Sequence, residues 1–198
     1  MRIIGICGGS GSGKTTLANN LKQHFGCKKM AYIGCDSYYK KNNDLSFKKR
    51  SKLNFDHPDL IDFELLFDDL NSLKNLEKIY IPKYSYKTHK RLKTKRPQNP
   101  RSLIVLEGLH ILYDNRILNL IDYCIFLDLD YKIRLKRRIK RDIMSRNRTK
   151  EDTIRRFLQM SEPMYKKYIK SKKTKADLIL KCKKINIKKI ITLINTFS

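Results

Sequence analysis

Short apolar runs alternate with amphipathic segments along the chain. Five runs have the length and β-branched content of buried strands: Arg2–Cys7, Met30–Cys35, Ser102–Leu106, Tyr123–Leu129 and Ala176–Leu180. Helical spacing of apolar residues lies between and after them, over Leu17–Phe25, Asp59–Leu76, Asp130–Ser145, Thr149 to about Ile169, and Ile187–Phe197. Strands that alternate with helices predict an α/β fold, a doubly wound and mostly parallel sheet with helices on both faces.

Three segments allow more specific structural predictions. Asp130–Ser145 is a basic helix, and its predicted inner side consists of Ile133, Leu135, Ile139 and Ile143. Thr149 and the two acidic residues after Lys150 resemble a capping box that opens the next helix. Residues 79–101 carry aromatics, lysines and three prolines, which indicates an exposed hairpin or loop. We find no internal repeat or linker, so we predict one domain over residues 1–198.

Five of the eight glycines fall within the first thirteen residues. The run from Gly8 to Thr15 fits the Walker A pattern GxxxxGK[ST], after a predicted strand and before a predicted helix. In such a loop the backbone N–H groups bind phosphate, the lysine reaches the β- and γ-phosphates, and the hydroxyl ligates Mg²⁺. The predicted nucleotide-binding residues are Gly8, Gly9, Ser10, Gly11, Ser12, Gly13, Lys14, Thr15 and Thr16.

Phosphate binding alone fits a kinase, a GTPase or a mechanical ATPase. A GTPase needs a DxxG switch, and no glycine here has an aspartate three residues before it. A small-molecule kinase needs a carboxylate near the γ-phosphate, to accept a hydroxyl proton and to help hold Mg²⁺. Asp36 and Glu107 each follow a predicted strand, at the edge where doubly wound sheets bind ligands. Either acid could instead serve only as a helix N-cap or strand terminator.

The charge is extreme, with a formal net value of +26. Such a field attracts nucleic acid, acidic membranes or phosphorylated small molecules. The excess is mostly lysine beside many isoleucines and asparagines, so a bias toward AT-rich codons explains it equally without a selected partner. We expect neither a specific nucleic acid partner nor a membrane.

Cysteine use indicates a reducing compartment. The five cysteines are odd in number, and they form neither a CxxC pair nor a spacing with histidine that suits zinc. We interpret Cys7, Cys27, Cys35, Cys124 and Cys182 as buried small hydrophobes. No apolar run approaches 18 residues, and the first seven residues are too short for a signal peptide. A cytoplasmic location is therefore expected.

Several motifs together resemble the uridine kinase (uridine–cytidine kinase) family. After the Walker A loop come Asp36-Ser-Tyr-Tyr-Lys40 and Asn54-Phe-Asp-His-Pro-Asp59, both more specific than Walker A. Further matches are Pro82-Lys-Tyr84-Ser-Tyr86-Lys-Thr-His89, Leu106-Glu-Gly108 and Arg137-Arg-Ile-Lys-Arg-Asp142, and the resemblance ends near Ala176-Asp-Leu-Ile179. It covers about nine tenths of the chain in order.

The resemblance implies an enzyme that transfers the γ-phosphate of ATP or GTP to the 5′-hydroxyl of uridine or cytidine, in pyrimidine salvage. Asp36 would be the general base, with Lys14 and Arg141 as its catalytic partners, and Asp56 would hold the ribose hydroxyls. Magnesium would be held by Thr15, Asp36 and Glu107, and Arg146 would bind the nucleotide. The remaining implied substrate-binding residues are Tyr84, Tyr86, His89, Arg138, Arg148 and Arg156. The family also implies a homotetramer, a substrate-side hairpin at about 79–101 and a lid at about 130–150.

This sequence departs from the family pattern near the base. Ser85 replaces an aspartate, Asn147 replaces a lid glycine, Arg156 replaces a glutamine, and Glu162 replaces a basic residue. Arg134, Arg138 and Arg141 share one helical stripe and are predicted to face a phosphate together, whereas His24 and His110 are interpreted as surface residues. Two alternatives stay open: a related kinase for another acceptor, of the phosphoribulokinase or pantothenate kinase kind, and a basic P-loop protein that binds RNA.

Overall fold

A five-stranded parallel sheet forms the centre of the computed structural model, which describes residues 1–181 and 185–196. Its strands are β1 (Arg2–Gly8), β2 (Met30–Gly34), β5 (Leu103–Glu107), β6 (Tyr123–Leu127) and β7 (Leu178–Leu180), in the order β2-β5-β1-β6-β7. Parallel strands joined by helices confirm the predicted α/β fold. The strand bounds differ from the predicted ones by one or two residues: β2, β6 and β7 are shorter than predicted, whereas β1 and β5 each end one residue later.

Helices of different lengths cover the sheet. They are α1 (Lys14–Lys29), α2 (Phe47–Ser51), α3 (Phe63–Lys74), α4 (Asn115–Leu120), α5 (Tyr131–Ser145), α6 (Lys150–Arg156), α7 (Glu162–Met164) and α8 (Ile187–Asn195). Two π-helical turns, Phe157–Ser161 and Tyr165–Ile169, flank α7, and the helical path continues as a 3₁₀ turn to Lys175. No helix among the described residues is long and apolar enough to cross a membrane.

Two apolar cores lie on either side of the sheet. One includes Ile3, Ile33 and Phe126 with α3, and the other includes Ile4, Val105 and Leu21 of α1. Successive residues of a strand point to opposite faces, so a continuous run such as Ile3–Ile4 supplies both cores at once. This burial is what the uninterrupted apolar runs predicted.

Helix boundaries required several corrections. The predicted helix over Asp59–Leu76 begins only at Phe63, because Asp62 caps it through the N–H of Leu65 after a separate 3₁₀ turn at Pro58–Leu60. Gly26 interrupts α1 at φ +71°, where the prediction ended the helix, yet three more residues continue it. The last helix ends at Asn195, and the predicted Phe197 lies outside the described residues.

The basic helix α5 packs differently from the prediction. Its buried residues are Arg134, Arg138 and Asp142, whereas Ile143 is exposed. Arg134 pairs with Glu162 and Arg138 pairs with Asp56, both on other elements, whereas Asp142 pairs with arginines of its own segment. This charged stripe therefore faces inward, and the predicted apolar stripe is only partly buried. The predicted cap is confirmed, because Thr149 Oγ1 accepts the N–H of Asp152 at 3.1 Å.

The segment predicted as a hairpin or loop is an antiparallel hairpin of β3 (Ile79–Ser85) and β4 (Lys90–Gln98). It forms its own two-stranded sheet, and Ile79 and Ile81 anchor it to the core. Arg91 fixes its base, with Nε and Nη2 donating to the carbonyl oxygens of Tyr39 and Tyr38. The hairpin therefore packs against the segment that follows the carboxyl end of β2.

Candidate active site

The phosphate-binding loop connects β1 to α1. Gly11 has φ +80°, and a Cβ there would lie 2.3 Å from the carbonyl oxygen of Arg134, so only glycine fits between the loop and α5. Lys14 is the first residue of α1, and its Nζ donates to the carbonyl oxygen of Gly9 at 3.1 Å. Burial lowers the pKa of this lysine, while the nearby Glu107 carboxylate opposes that change.

Two carboxylates meet at neighbouring strand ends. Gly34 of β2 pairs in register with Glu107 of β5, which brings Asp36, two residues later, to the same sheet edge. Glu107 Oε1 accepts the Thr15 hydroxyl at 3.1 Å and the Tyr32 hydroxyl at 2.9 Å. Burial raises the pKa of Glu107, and the Lys14 charge partly offsets this.

A buried ion pair lies further along the cleft. Both carboxylate oxygens of Asp56 contact Nη1 of Arg138 at 3.3 Å, and Ser161 Oγ donates to Oδ2 at 2.5 Å. Burial alone would raise the pKa of Asp56, but Arg138 and Ser161 outweigh it and hold the pKa below its ordinary value. His110 Nε2 donates to the carbonyl oxygen of Asp56 at 2.8 Å and fixes its backbone.

Aromatic rings close the far end of the cleft. The rings of Phe55 and His89 stack with centroids 4.9 Å apart, and Tyr84 meets Tyr86 edge-on at 5.6 Å. Tyr86 also donates its hydroxyl to Asp36 Oδ2 at 2.9 Å. Burial, and then the charges of nearby arginines, lower the pKa of His89 to about 4, so its ring is neutral at pH 7. Planar rings and a neutral imidazole suit a flat heterocycle.

Arginines form the outer wall of this cleft. The guanidinium of Arg146 lies 4.2 Å from the centroid of the Tyr86 ring, at the aromatic end of the cleft rather than on the loop. Arg156 donates through Nη2 to the carbonyl oxygen of Ser51 at 2.7 Å and through Nε to Asp152. It is therefore half-buried at the rim and not directed into solvent.

These groups line a common cavity of about 450 Å³. The predicted site residues that line it are Ser10, Lys14, Thr15, Asp36, Asp56, Tyr84, Tyr86, His89, Glu107, Arg138, Arg141, Arg146, Arg148 and Arg156. A second cavity of about 400 Å³ lies on the other side of the loop, and its lining includes Gly11, Ser12, Gly13, Thr16, Arg137 and Ile187. Lys14, Thr15 and Arg141 line both cavities. Gly8 and Gly9 line neither of these two cavities, and the carbonyl oxygen of Gly9 accepts the Lys14 ammonium.

Comparison with known proteins agrees with this geometry. The model of the phosphoribulokinase / uridine kinase family matches residues 3–187. The chain belongs to this family. Uridine kinase of Streptococcus pneumoniae is 38% identical over 178 residues, which are 90% of this chain and 84% of that enzyme.

Solved structures of this family share the fold. Phosphoribulokinase from Rhodobacter spheroides superposes with a TM-score of 0.65 at 17% identity, covering 91% of this chain and 69% of that one. A "possible uridine kinase" from Bacillus stearothermophilus gives a TM-score of 0.60 at 20% identity, covering 90% and 88%. At these identities the likeness shows a common α/β kinase fold.

Three interpretations of single residues were wrong. His110 is buried and not a surface residue, because its ring packs between the Asp56 backbone and Tyr168. Arg134 does not face a phosphate; its Nη2 donates to Glu162 at 2.7 Å behind the loop. Cys27 is exposed, whereas Cys7, Cys35 and Cys124 are buried as predicted and Cys182 lies outside the described residues. His24 is exposed as expected.

Sequence reasoning missed some groups that touch the site. Ser161 lies on a π-helical turn, a feature that often marks functional sites, and no sequence signal connects it to Asp56. Tyr32 stands in mid-strand as an ordinary β-former, and only the register places its hydroxyl on Glu107. Asp142 lay inside a matched motif without an assigned role.

Proposed function

We propose that this family member is a uridine kinase, which transfers the γ-phosphate of a nucleoside triphosphate to the 5′-hydroxyl of uridine and also of cytidine. One observation carries the proposal: Lys14, Thr15 and Arg141 line both the aromatic cavity and the cavity across the loop. Two substrates that occupy these cavities would meet at those three residues. In-line phosphoryl transfer requires such a meeting point.

The aromatic cavity supports a nucleoside as acceptor. Asp56 and Arg138 offer an acceptor and a donor side by side, which suits the vicinal hydroxyls of ribose. Phe55, Tyr84 and His89 give rings on which a pyrimidine stacks. Uridine is the substrate in the printed name of the Streptococcus pneumoniae relative, which supports the same assignment here.

Asp36 would act as the general base. Its Oδ2 accepts the Tyr86 hydroxyl at 2.9 Å, which directs the carboxylate into the cavity. Uridine would replace this contact with its 5′-hydroxyl, whose proton passes to Asp36 as the oxygen attacks the γ-phosphorus. The bond from the γ-phosphorus to the β–γ bridging oxygen would break at the same time, and the nucleoside diphosphate would leave. Lys14 and Arg141 would stabilise the charge that develops on the transferring phosphoryl group.

The donor is proposed to be ATP or GTP with Mg²⁺. The hydroxyl of Thr15 and the carboxylates of Glu107 and Asp36 are hard oxygen donors, and Mg²⁺ usually takes one or two carboxylates besides substrate phosphates. No group of three or more His, Cys, Asp or Glu side chains gathers for a metal among the described residues. The ion would neutralise charge on the β- and γ-phosphates.

We further propose a homotetramer of single-domain subunits, with residues 79–101 as the substrate-side hairpin and residues 130–150 as the lid. A cytoplasmic location is supported by the free thiols of Cys7, Cys35 and Cys124. Size-exclusion chromatography with light scattering measures the assembly.

A phosphate-acceptor panel with labelled ATP and with labelled GTP tests the function. Uridine and cytidine should accept label, whereas ribulose 5-phosphate and pantothenate should not. If ribulose 5-phosphate or pantothenate accepts label and the nucleosides do not, the alternative kinase replaces this proposal. Absence of transfer to every acceptor would favour the RNA-binding alternative.

A further inference from the structure

A buried carboxylate lies at the centre of the arginine cluster. Asp142 of α5 has no exposed surface, and its side chain contacts three arginines. The distances are 2.8 Å to Arg141 Nη2, 3.4 Å to Arg138 Nε and 3.7 Å to Arg146 Nε. Its carbonyl oxygen also accepts the backbone N–H groups of Arg146 at 3.1 Å and of Arg148 at 3.3 Å. One residue thus holds side chains and backbone of the same segment.

The three arginines reach different parts of the cavity. Arg138 pairs with Asp56 at the proposed ribose end, and Arg141 lies where the two cavities meet. Arg146 covers the ring of Tyr86, whose hydroxyl contacts the proposed base. Asp142 is therefore the group that connects the nucleoside end to the phosphate end.

Charge, more than hydrogen-bond geometry, holds the cluster together. Among the described residues, Arg138 Nε, Arg141 Nη2 and Asp142 Oδ2 are buried side-chain atoms without a hydrogen bond of good geometry. Arg138 Nε nevertheless lies 3.4 Å from Asp142 Oδ2, and Arg141 Nη2 lies 2.8 Å from Asp142 Oδ1. Buried polar atoms in this state need a reason, since leaving them unsatisfied costs free energy. The attraction between opposite charges therefore holds these arginine atoms against Asp142.

We propose that Asp142 is a positioning residue, which holds Arg138, Arg141 and Arg146 at fixed distances so that the nucleoside and the transferring phosphoryl group are aligned. The inference rests on the proposed kinase function. Asp142 is not among the residues that line the two cavities, so it would act only through the arginines. Guanidinium groups crowded into one buried site repel each other, and the central carboxylate offsets that repulsion.

Steady-state kinetics of Asp142→Asn test this role. We expect kcat to fall at least tenfold and the KM for uridine to rise severalfold, because misplacement of about 1 Å can cost about 10²-fold in rate. The KM for the nucleotide should stay unchanged or fall, because loss of a negative charge makes the cavity more positive. A merely structural role would lower the melting temperature and leave kcat per folded molecule unchanged.

Asp68→Asn is the matched control, because it makes the same chemical change on the exposed side of α3. Circular dichroism confirms folding of each variant. Wild-type kcat and KM values in folded Asp142→Asn would overturn the inference. Asp142→Glu keeps the charge but displaces it by one methylene, so it should also lose at least tenfold in kcat.

If Asp142→Asn does not fold, Asp142→Glu tests the proposal instead. Full activity of Asp142→Glu would show that the negative charge alone suffices, and it would overturn the proposal that Asp142 positions the arginines. The wild-type enzyme is assayed first on the acceptor panel. A wild type that phosphorylates no nucleoside refutes the proposed function, and the variants are then compared on the acceptor that the panel identifies.

Discussion

Replacing Asp56 with asparagine removes a buried negative charge and keeps the shape of the side chain. Asp56 and its partner Arg138 have side-chain exposures of 11% and 7%, so solvent screens the pair weakly. Breaking such a pair by removing one partner costs about 3–5 kcal/mol when the remaining charge is left alone. Arg138 keeps Asp142 at 3.4 Å, so we expect a loss of about 2–3 kcal/mol in the free energy of unfolding.

Urea unfolding followed by circular dichroism measures this loss. For a chain of this length it corresponds to a fall of roughly 5–10 °C in Tm. Asp59→Asn is the matched control, because its side chain is 75% exposed three residues along the same motif. Because the Asp56→Asn amide has one acceptor oxygen instead of two, kcat/KM for uridine should also fall by about one to two decades. Equal stability and equal kcat/KM in wild type and Asp56→Asn would refute both the buried pair and the ribose assignment.

The pH dependence of the stability difference between wild type and Asp56→Asn tests whether the Asp56 charge stabilises the fold. The folded pKa of Asp56 lies below its unfolded value, which is about 3.9 for an aspartate. The charge therefore stabilises the fold above about pH 4, and this contribution disappears as the pH falls through the folded pKa. The difference in unfolding free energy between wild type and Asp56→Asn should be constant from about pH 5 to 8 and shrink below about pH 4. A difference that does not change with pH would contradict a role for the charge.

Other predictions concern catalysis, specificity and charge. Asp36→Asn should lower kcat by about 10²–10⁴-fold in a protein that folds normally by circular dichroism, and near wild-type turnover would remove Asp36 from the mechanism. Arg156 offers donors only, which match the carbonyl oxygens of uracil and clash with the 4-amino group of cytosine, so wild type should prefer uridine by about one to two decades in kcat/KM. Arg156→Gln should reduce that ratio, and an unchanged ratio would show that Arg156 does not select the base. RNA binding, measured by fluorescence anisotropy, should be weak and vanish steeply with salt; sub-micromolar binding at physiological salt would indicate a selected nucleic acid partner.

The amino-acid sequence alone determined most of the fold and the phosphate-binding loop. Buried parallel strands read as continuous apolar runs, so Arg2–Cys7 and Ser102–Leu106 were visible without partners. Residues at strand ends follow from those runs, which is why Asp36 and Glu107 could be proposed together before their strands were seen to be neighbours in the sheet. The position of the hairpin and the Thr149 cap could also be predicted from the sequence, because turn and cap residues act locally.

Only the tertiary structure decided which charged residues lie inside. Helical periodicity assumes that apolar residues face the core, and α5 violates this because Asp56 and Glu162, distant in sequence, supply partners for its arginines. His110 is buried for the same reason, since the backbone of Asp56 accepts its hydrogen bond. The Ser161 hydroxyl donates to Asp56 from a π-helical turn that no local sequence pattern predicted. Interpretation of a sequence assumes that burial of a charged or polar side chain costs too much free energy. Pairing with polar groups distant in the sequence offsets that cost here, so these contacts could not be predicted.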